Sequence, residues 1–213
     1  MNSSPPLKPT VYIVDDDASV RESLSSLIRS EGLAVEVFAS PVDFLALSSV
    51  KELSCVVLDV RMPEIDGLTL QSKLLAQGKE LPIVFISGHG DVPQAVRAMK
   101  AGAIDFLRKP FDDTELLRAI GAALSRVSDA TREKTSLTEL RSRFEQLTPR
   151  EKEIMFQVAE GKQNKTIAYE LGVTESTVKV HRHNVMNKMQ LKSLPELTLA
   201  IQRLKKIATS ERD

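Results

Sequence analysis

The sequence predicts a doubly wound α/β domain with a five-stranded parallel sheet, followed by a linker helix and a small all-α domain of helix-turn-helix type. Three features carry that prediction. Strand-length apolar runs alternate with helix-period segments through the first 125 residues, turn and cap residues punctuate each change of period, and beyond residue 145 the period is helical.

The elements follow in order. TVYIV (10–14) is the first strand, and SVRESLSSLIRSEG then places Val20, Leu24, Leu27 and Ile28 on one helical face, with Gly32 as a stop. AVEVF (34–38), CVVLDV (55–60), PIVFIS (82–87) and AIDFL (103–107) supply four more strands, rich in β-branched residues. Repeated βα units make a parallel sheet covered on both faces, and ligands of such sheets gather at the carboxyl ends of the strands. KPFDDTELLRAI restarts a helix through Leu116, Leu117, Ile120 and Leu124.

Residues 126–145 lack Gly and Pro, alternate in charge and lead an apolar stripe of Leu137, Leu140, Phe144 and Leu147, as in a linker helix. LTPREKEIMFQVAEG has Thr148 as N-cap, Pro149 at the first helical position, Glu151 at the third and Gly161 as a stop. NKTIAYELGVTESTVKVHRHNVMNKM reads as a helix, a turn through Gly172, a second N-cap at Thr174 and another helix. The expected divisions are 8–125, 126–145 and 146–208.

Composition narrows the function. The chain has 213 residues, 42% hydrophobic and 27% charged, in keeping with two globular domains. Its single cysteine, Cys55, excludes a disulfide framework or a Cys-based zinc site within one chain and is expected as a packed core thiol. No apolar stretch approaches the roughly 20 residues of a membrane span. The N-terminal MNSSPPLKP has no signal-peptide pattern, so a cytoplasmic protein with no membrane partner is expected. Zero net charge conceals a split: residues 1–125 carry 17 acids and 12 bases, residues 146–213 carry 8 and 12. The acidic half suits a cation, the basic half a polyanion.

At the strand ends stand Asp15, Asp16 and Asp17, then Asp59, Ser87 and Lys109. Carboxylates converging on one crevice repel one another unless a hard cation intervenes, and magnesium suits such oxygen ligands. A lysine and a hydroxyl beside it suit a phosphoryl group, with a carboxylate as the nucleophile that becomes an acyl phosphate.

IVDDD, LDVRMPEIDG, VFISGHGD and AIDFLRKPF closely resemble the receiver domain of bacterial two-component response regulators, over residues 10 to about 125, and the stretch from GHGDV to AGAIDF resembles the FixJ-type subgroup. The resemblance implies a flavodoxin-like fold. It implies that Asp59 accepts the phosphoryl group from a histidine kinase and that Asp15 and Asp16, with Asp59 and the backbone carbonyl of Arg61, hold Mg²⁺ or Mn²⁺. Ser87 and Lys109 would grip the phosphoryl group, and Ser87 and Phe106 would form the switch. Phe106 stands where a tyrosine is common, which removes one hydrogen bond from that switch. Asp17 lies beyond the acidic pair and is expected at the helix start, where the macrodipole favours an acid.

A haloacid-dehalogenase-like phosphatase fused to a DNA-binding module is the alternative, using Asp15-x-Asp17, Ser87, Lys109 and Asp112-Asp113. That reading leaves Asp59 and RMPEIDG without a role and lacks the Gly-Thr expected after the acidic motif, where Ala18-Ser19 stands.

On the last predicted helix Val178, Val185 and Met189 face inward, and Lys179, Arg182, His183 and Lys188 outward, where cations contact phosphates or read bases in the major groove. TVKVHRHNVMNKM resembles the LuxR-type DNA-binding domain, over about residues 145–207. By position Lys179, Val180 and His183 resemble its base-facing set, with Arg182 and Lys188 as phosphate contacts.

The expected protein is a phosphorylation-activated transcription regulator, not an enzyme beyond its own phosphoryl transfer and autodephosphorylation. Its implied partners are a cognate histidine kinase, promoter DNA and RNA polymerase. In DVPQAVRAMKAG, Ala95, Ala98 and Met99 are expected against the sheet, which turns Val96 and Lys100 outward as the face of a homodimer formed on phosphorylation.

Overall fold

The structure, a computed structural model, describes residues 8–88 and 92–210. It divides into two compact units, the first running to Ala130 and the second beginning at Thr131.

In the first unit five parallel strands, β1 (Thr10–Val14), β2 (Ala34–Phe38), β3 (Ser54–Asp59), β4 (Ile83–Ser87) and β5 (Asp105–Arg108), pair in the order β2-β1-β3-β4-β5. Because side chains alternate across a strand, the apolar runs feed two cores. Val11, Ile13, Cys55, Val57, Val84 and Ile86 meet Leu24 and Ile28 of α1 (Ala18–Ser30) and Leu116 and Ile120 of α5 (Asp113–Glu145). Tyr12, Val14, Val56, Leu58 and Phe85 meet Phe44 of α2 (Pro41–Leu45), Leu70 and Leu74 of α3 (Gly67–Ala76) and Ala98 of α4 (Val92–Lys100). The three inner strands β1, β3 and β4 are buried along their whole length. Cys55 is a core thiol, and burial pushes its pKa up to about 12, so it packs rather than reacts.

Caps set the helix starts. Asp17 is the N-cap of α1, its carboxylate accepting from the Ser19 and Val20 N–H groups, as expected. The first two strands have the predicted bounds; β3, at Ser54–Asp59, is shifted by one residue at both ends, and β4, at Ile83–Ser87, starts one residue later.

The second unit holds α6 (Pro149–Ala159), α7 (Asn164–Leu171), α8 (Glu175–Met189) and α9 (Leu194–Ser210) around Ile154, Met155, Ile167, Val178, Val185 and Leu197. The expected capping box is present, with Thr148 Oγ1 accepting from Glu151 N–H and the Glu151 carboxylate accepting from Thr148 N–H. Gly172 ends α7 in the left-handed region, at φ +64°.

Two expectations need correction. Residues 126–145 are helical as expected, but as the continuation of α5, which runs unbroken from Asp113 to Glu145 because no proline interrupts it and its one glycine, Gly121, is tolerated. The end of the apolar stripe joins the second unit's core, in which Leu140 and Leu147 are buried and against which Phe144 packs. Met99 does not pack on the sheet. It is 46% exposed, and Ala98 alone on α4 is fully buried.

Candidate functional site

The carboxyl ends of β1, β3, β4 and β5 bring together Asp15, Asp59, Ser87 and Lys109. Each is placed by the register: Asp59 closes β3 opposite Ile86, and Lys109 N–H donates to the Ser87 carbonyl at 2.8 Å. Asp15, Asp59 and Ser87 are all buried. Lys109 Nζ reaches between the two carboxylates, 2.8 Å from Asp15 Oδ2 and 2.8 Å from Asp59 Oδ1. The remaining oxygens are also held, Asp15 Oδ1 by the Asp17 N–H at 2.8 Å and Asp59 Oδ2 by the Arg61 N–H at 2.6 Å. Asp16 lies exposed at the rim, and Phe106 on β5 is half-buried, its ring 6.1 Å from that of Phe85. His89 and Asp91, in the predicted loop after Ser87, lie outside the described residues.

Electrostatics make this cluster chemically distinct. Burial pushes the Asp59 carboxyl above the ordinary aspartate range, against the hydrogen bond and charge of Lys109, and the charge of Asp15 adds to the push. Burial alone would pull the Lys109 ammonium down, but the two carboxylates outweigh it and hold its pKa above that of an ordinary lysine. Two ionised carboxylates against one ammonium leave a net negative charge in a largely buried place. That donor set fits a hard divalent cation. Among the described residues no three His, Cys, Asp or Glu side chains gather as a metal cluster, but Mg²⁺ needs only one or two carboxylates and fills its shell with waters and phosphate oxygens.

Gly67 completes the architecture and went unremarked in the sequence. A Cβ there would stand 2.3 Å from the Asp59 backbone oxygen, so only glycine lets α3 begin this close to the end of β3. The signal was its place as the last residue of LDVRMPEIDG. In the same loop Glu64 has φ +63°, with the Ile65 N–H bonded to the Pro63 carbonyl at 2.7 Å, a strained γ-turn between Arg61 and Asp66.

On α8 the expected inner residues Val178, Val185 and Met189 are buried, and Lys179, Val180 and His183 are exposed. The His183 ring nitrogen Nε2 lies 2.8 Å from Asn187 Nδ2. Lys188 and Arg182 depart from the outward-facing expectation. Lys188 Nζ is 2.7 Å from the carboxylate of Glu151, which is 3% exposed, and Arg182 Nη1 is 2.6 Å from Asn164 Oδ1. Each cation ties α8 to a neighbour, Lys188 to α6 and Arg182, through one of its N–H donors, to α7. Burial opposes ionisation of Glu151, but hydrogen bonds from Lys188 and Thr148 prevail and hold its carboxyl below the usual range.

The profile described as response regulator receiver domain matches residues 11–121, more than half the chain. This chain belongs to the response regulators. A second profile, that of the luxR family of bacterial regulatory proteins, matches residues 145–201 of this response regulator. It is 48% identical over 195 residues to response regulator protein TmoT of Ectopseudomonas mendocina, covering 92% of this chain and 89% of that one. Transcriptional regulatory protein FixJ of Azorhizobium caulinodans is 46% identical over 187 residues, covering 88% and 89%. Among solved structures, response regulator StyR aligns with a TM-score of 0.78 at 46% identity, over 92% of this chain and 99% of that one.

The response regulator thus joins a receiver to a LuxR-type DNA-binding domain and acts in transcription regulation within a two-component system. The phosphatase alternative falls with that assignment. Receivers generally bind Mg²⁺ for phosphorylation, in keeping with the net charge of the Asp15–Asp59–Lys109 cluster. Among the described residues no helix is long and apolar enough to cross a membrane.

Proposed function

We propose that Asp59 is the phosphoacceptor of this regulator and that its phosphorylation controls DNA binding through α8. The observation that carries the reading is the bridged pair Asp15–Lys109–Asp59 at the carboxyl end of the sheet. In the proposed step an Asp59 oxygen attacks the phosphorus of a phosphohistidine on the cognate kinase. The P–O bond forms, the P–N bond breaks, and the imidazole leaves. Lys109 turns from the carboxylate to the new phosphoryl oxygens, and the Ser87 hydroxyl donates to another. Asp15, Asp16, Asp59 and the Arg61 carbonyl are the residues that would hold Mg²⁺ or Mn²⁺, which when bound neutralises phosphoryl charge. The chain would act as a regulator and not as an enzyme on other substrates, in the cytoplasm and off the membrane.

The domain reading is 8–125 for the receiver and 146–208 for DNA binding, with the end of the 126–145 segment supporting the second core. Lys179, Val180 and His183, exposed on α8, are proposed to face the bases. Lys188 is withdrawn as a phosphate contact because its ammonium already holds the Glu151 carboxylate, whereas Arg182 gives one N–H to Asn164 and keeps its other donors. On α4, Val92, Val96 and Met99 are exposed at 76%, 44% and 46% and form an apolar stripe beside Lys100. That stripe is proposed as the homodimer face formed on phosphorylation, which brings paired recognition helices, and RNA polymerase, to promoter DNA.

Asp59→Asn tests the central step, since it keeps the shape and removes the nucleophile. The variant is expected to take no phosphate from acetyl phosphate. Undiminished labelling, located on Asp15 by mass spectrometry, would refute Asp59 as the acceptor.

A further inference from the structure

The second unit contains a cavity. It lies between α6, α8 and α9, has a volume of about 210 Å³, and is walled by Met155, Val158, Val185, Met186 and Leu197 among others. It is partly enclosed and partly open to solvent, so a small molecule can reach its apolar wall. Its wall also carries two cations, Arg182 and Lys192. Neither forms an ion pair among the described residues. Arg182 donates to the neutral amide oxygen of Asn164, and only the backbone N–H of Lys192 engages Glu196.

We propose that this cavity binds a compact monocarboxylate, its apolar body among the methionine, valine and leucine side chains and its carboxylate on Arg182 and Lys192. The walls select the body. An apolar cavity of about 150 Å³ takes up benzene, so about 210 Å³ admits one ring, or a chain of similar bulk, with one small substituent. The cations select the head group. A guanidinium has five N–H donors in a planar fork, and one of them on Asn164 leaves others for a carboxylate. A free inorganic anion would waste the apolar wall, and a neutral hydrocarbon would leave both cations without a counter-charge. Because Arg182, Val185 and Met186 belong to α8, the ligand would sit behind the helix that presents Lys179 and His183.

The chain contains six methionines, of which Met155 and Met186 line the cavity, whereas Met62 and Met99 lie in the first unit. Full-length protein labelled with ¹³C at the methionine methyl groups is titrated with benzoate, with benzamide as the neutral isostere. The Met155 and Met186 resonances are expected to shift saturably, with a Kd of about 0.1–1 mM for a ligand of this size, while Met62 and Met99 stay still. Benzamide and the Arg182→Gln variant are each expected to weaken binding about tenfold, and Val158→Phe, which fills the cavity, to abolish it. No shift of Met155 and Met186 at about 10 mM benzoate would overturn the proposal. So would equal binding of benzamide, an unchanged affinity in Arg182→Gln, or parallel shifts at Met62 and Met99. Arg182 is half-exposed, so its variant remains a test even if Val158→Phe fails to fold.

Discussion

Replacing Gly67 by alanine tests how the end of β3 is held. The new Cβ would meet the Asp59 carbonyl oxygen at 2.3 Å, Phe85 Cε1 at 3.1 Å and Leu58 Cγ at 3.2 Å. Carbon and carbonyl oxygen in contact stand about 3.3–3.6 Å apart, so the backbones must part by about 1 Å. Neither side yields cheaply: Asp59 is paired in the sheet, and the Gly67 N–H donates to the Val60 carbonyl at 2.9 Å. Overpacking of this kind costs about 1–3 kcal/mol and a weakened backbone hydrogen bond about 0.5–1.5 kcal/mol, which together make a loss of about 2–4 kcal/mol. A domain of ordinary stability, about 5–15 kcal/mol, stays folded after that loss. The urea midpoint of the first unit is expected to fall by about 1–2 M. Phosphorylation by acetyl phosphate is expected to slow by up to about a hundredfold, because a misplacement of about 1 Å at a reacting group has that effect. Gly78→Ala is the control. Gly78 has φ +67° and open space at the Cβ position, so alanine there costs about 1–2 kcal/mol of backbone strain and leaves phosphorylation unchanged. A Gly67→Ala protein with the parent's midpoint and rate would refute the close approach of α3 to Asp59.

Lys188→Met strips Glu151 of its ion pair but leaves the Thr148 bonds, and with solvent reaching Lys188 the expected loss is about 1–2 kcal/mol at pH 7, read from hydrogen exchange of the α8 amides. Because the folded pKa of Glu151 is lowered, its contribution is complete above the unfolded value of about 4.3 and is lost as pH falls through the folded value. The penalty of Lys188→Met should therefore shrink below about pH 4, and a pH-independent penalty would refute the pairing. Val96→Arg, which puts a further cation beside Lys100, should leave Asp59 phosphorylation intact and remove the phosphorylation-induced dimer in sedimentation. A dimer equal to the parent's would eliminate this face. Lys179→Ala should relax preference at particular base pairs by about 1–3 kcal/mol, and an equal loss on specific and random DNA would contradict base readout.

The strands and their ends were legible in the sequence by itself, because alternation and apolarity are local properties of a few consecutive residues. TVYIV and AVEVF have the observed bounds of β1 and β2, and once the order of βα units was read, the parallel sheet had to carry Asp15, Asp59, Ser87 and Lys109 to one edge. Caps were legible for the same reason, since Asp17, Thr148 and Thr174 bond to N–H groups two or three residues away. Only the tertiary structure decided where long-range partners fell. A helical period marks Lys188 as polar but cannot say that Glu151, 37 positions earlier, waits buried beside it. Leu140 and Phe144 have the same period whether they cover a partner or their own core, and that choice belongs to the helices of the second unit. Gly67 shows the same limit, because a missing side chain leaves no pattern until the Asp59 carbonyl is seen where the Cβ would have been. Contacts between distant segments depend on how elements pack in space, and no local period encodes that.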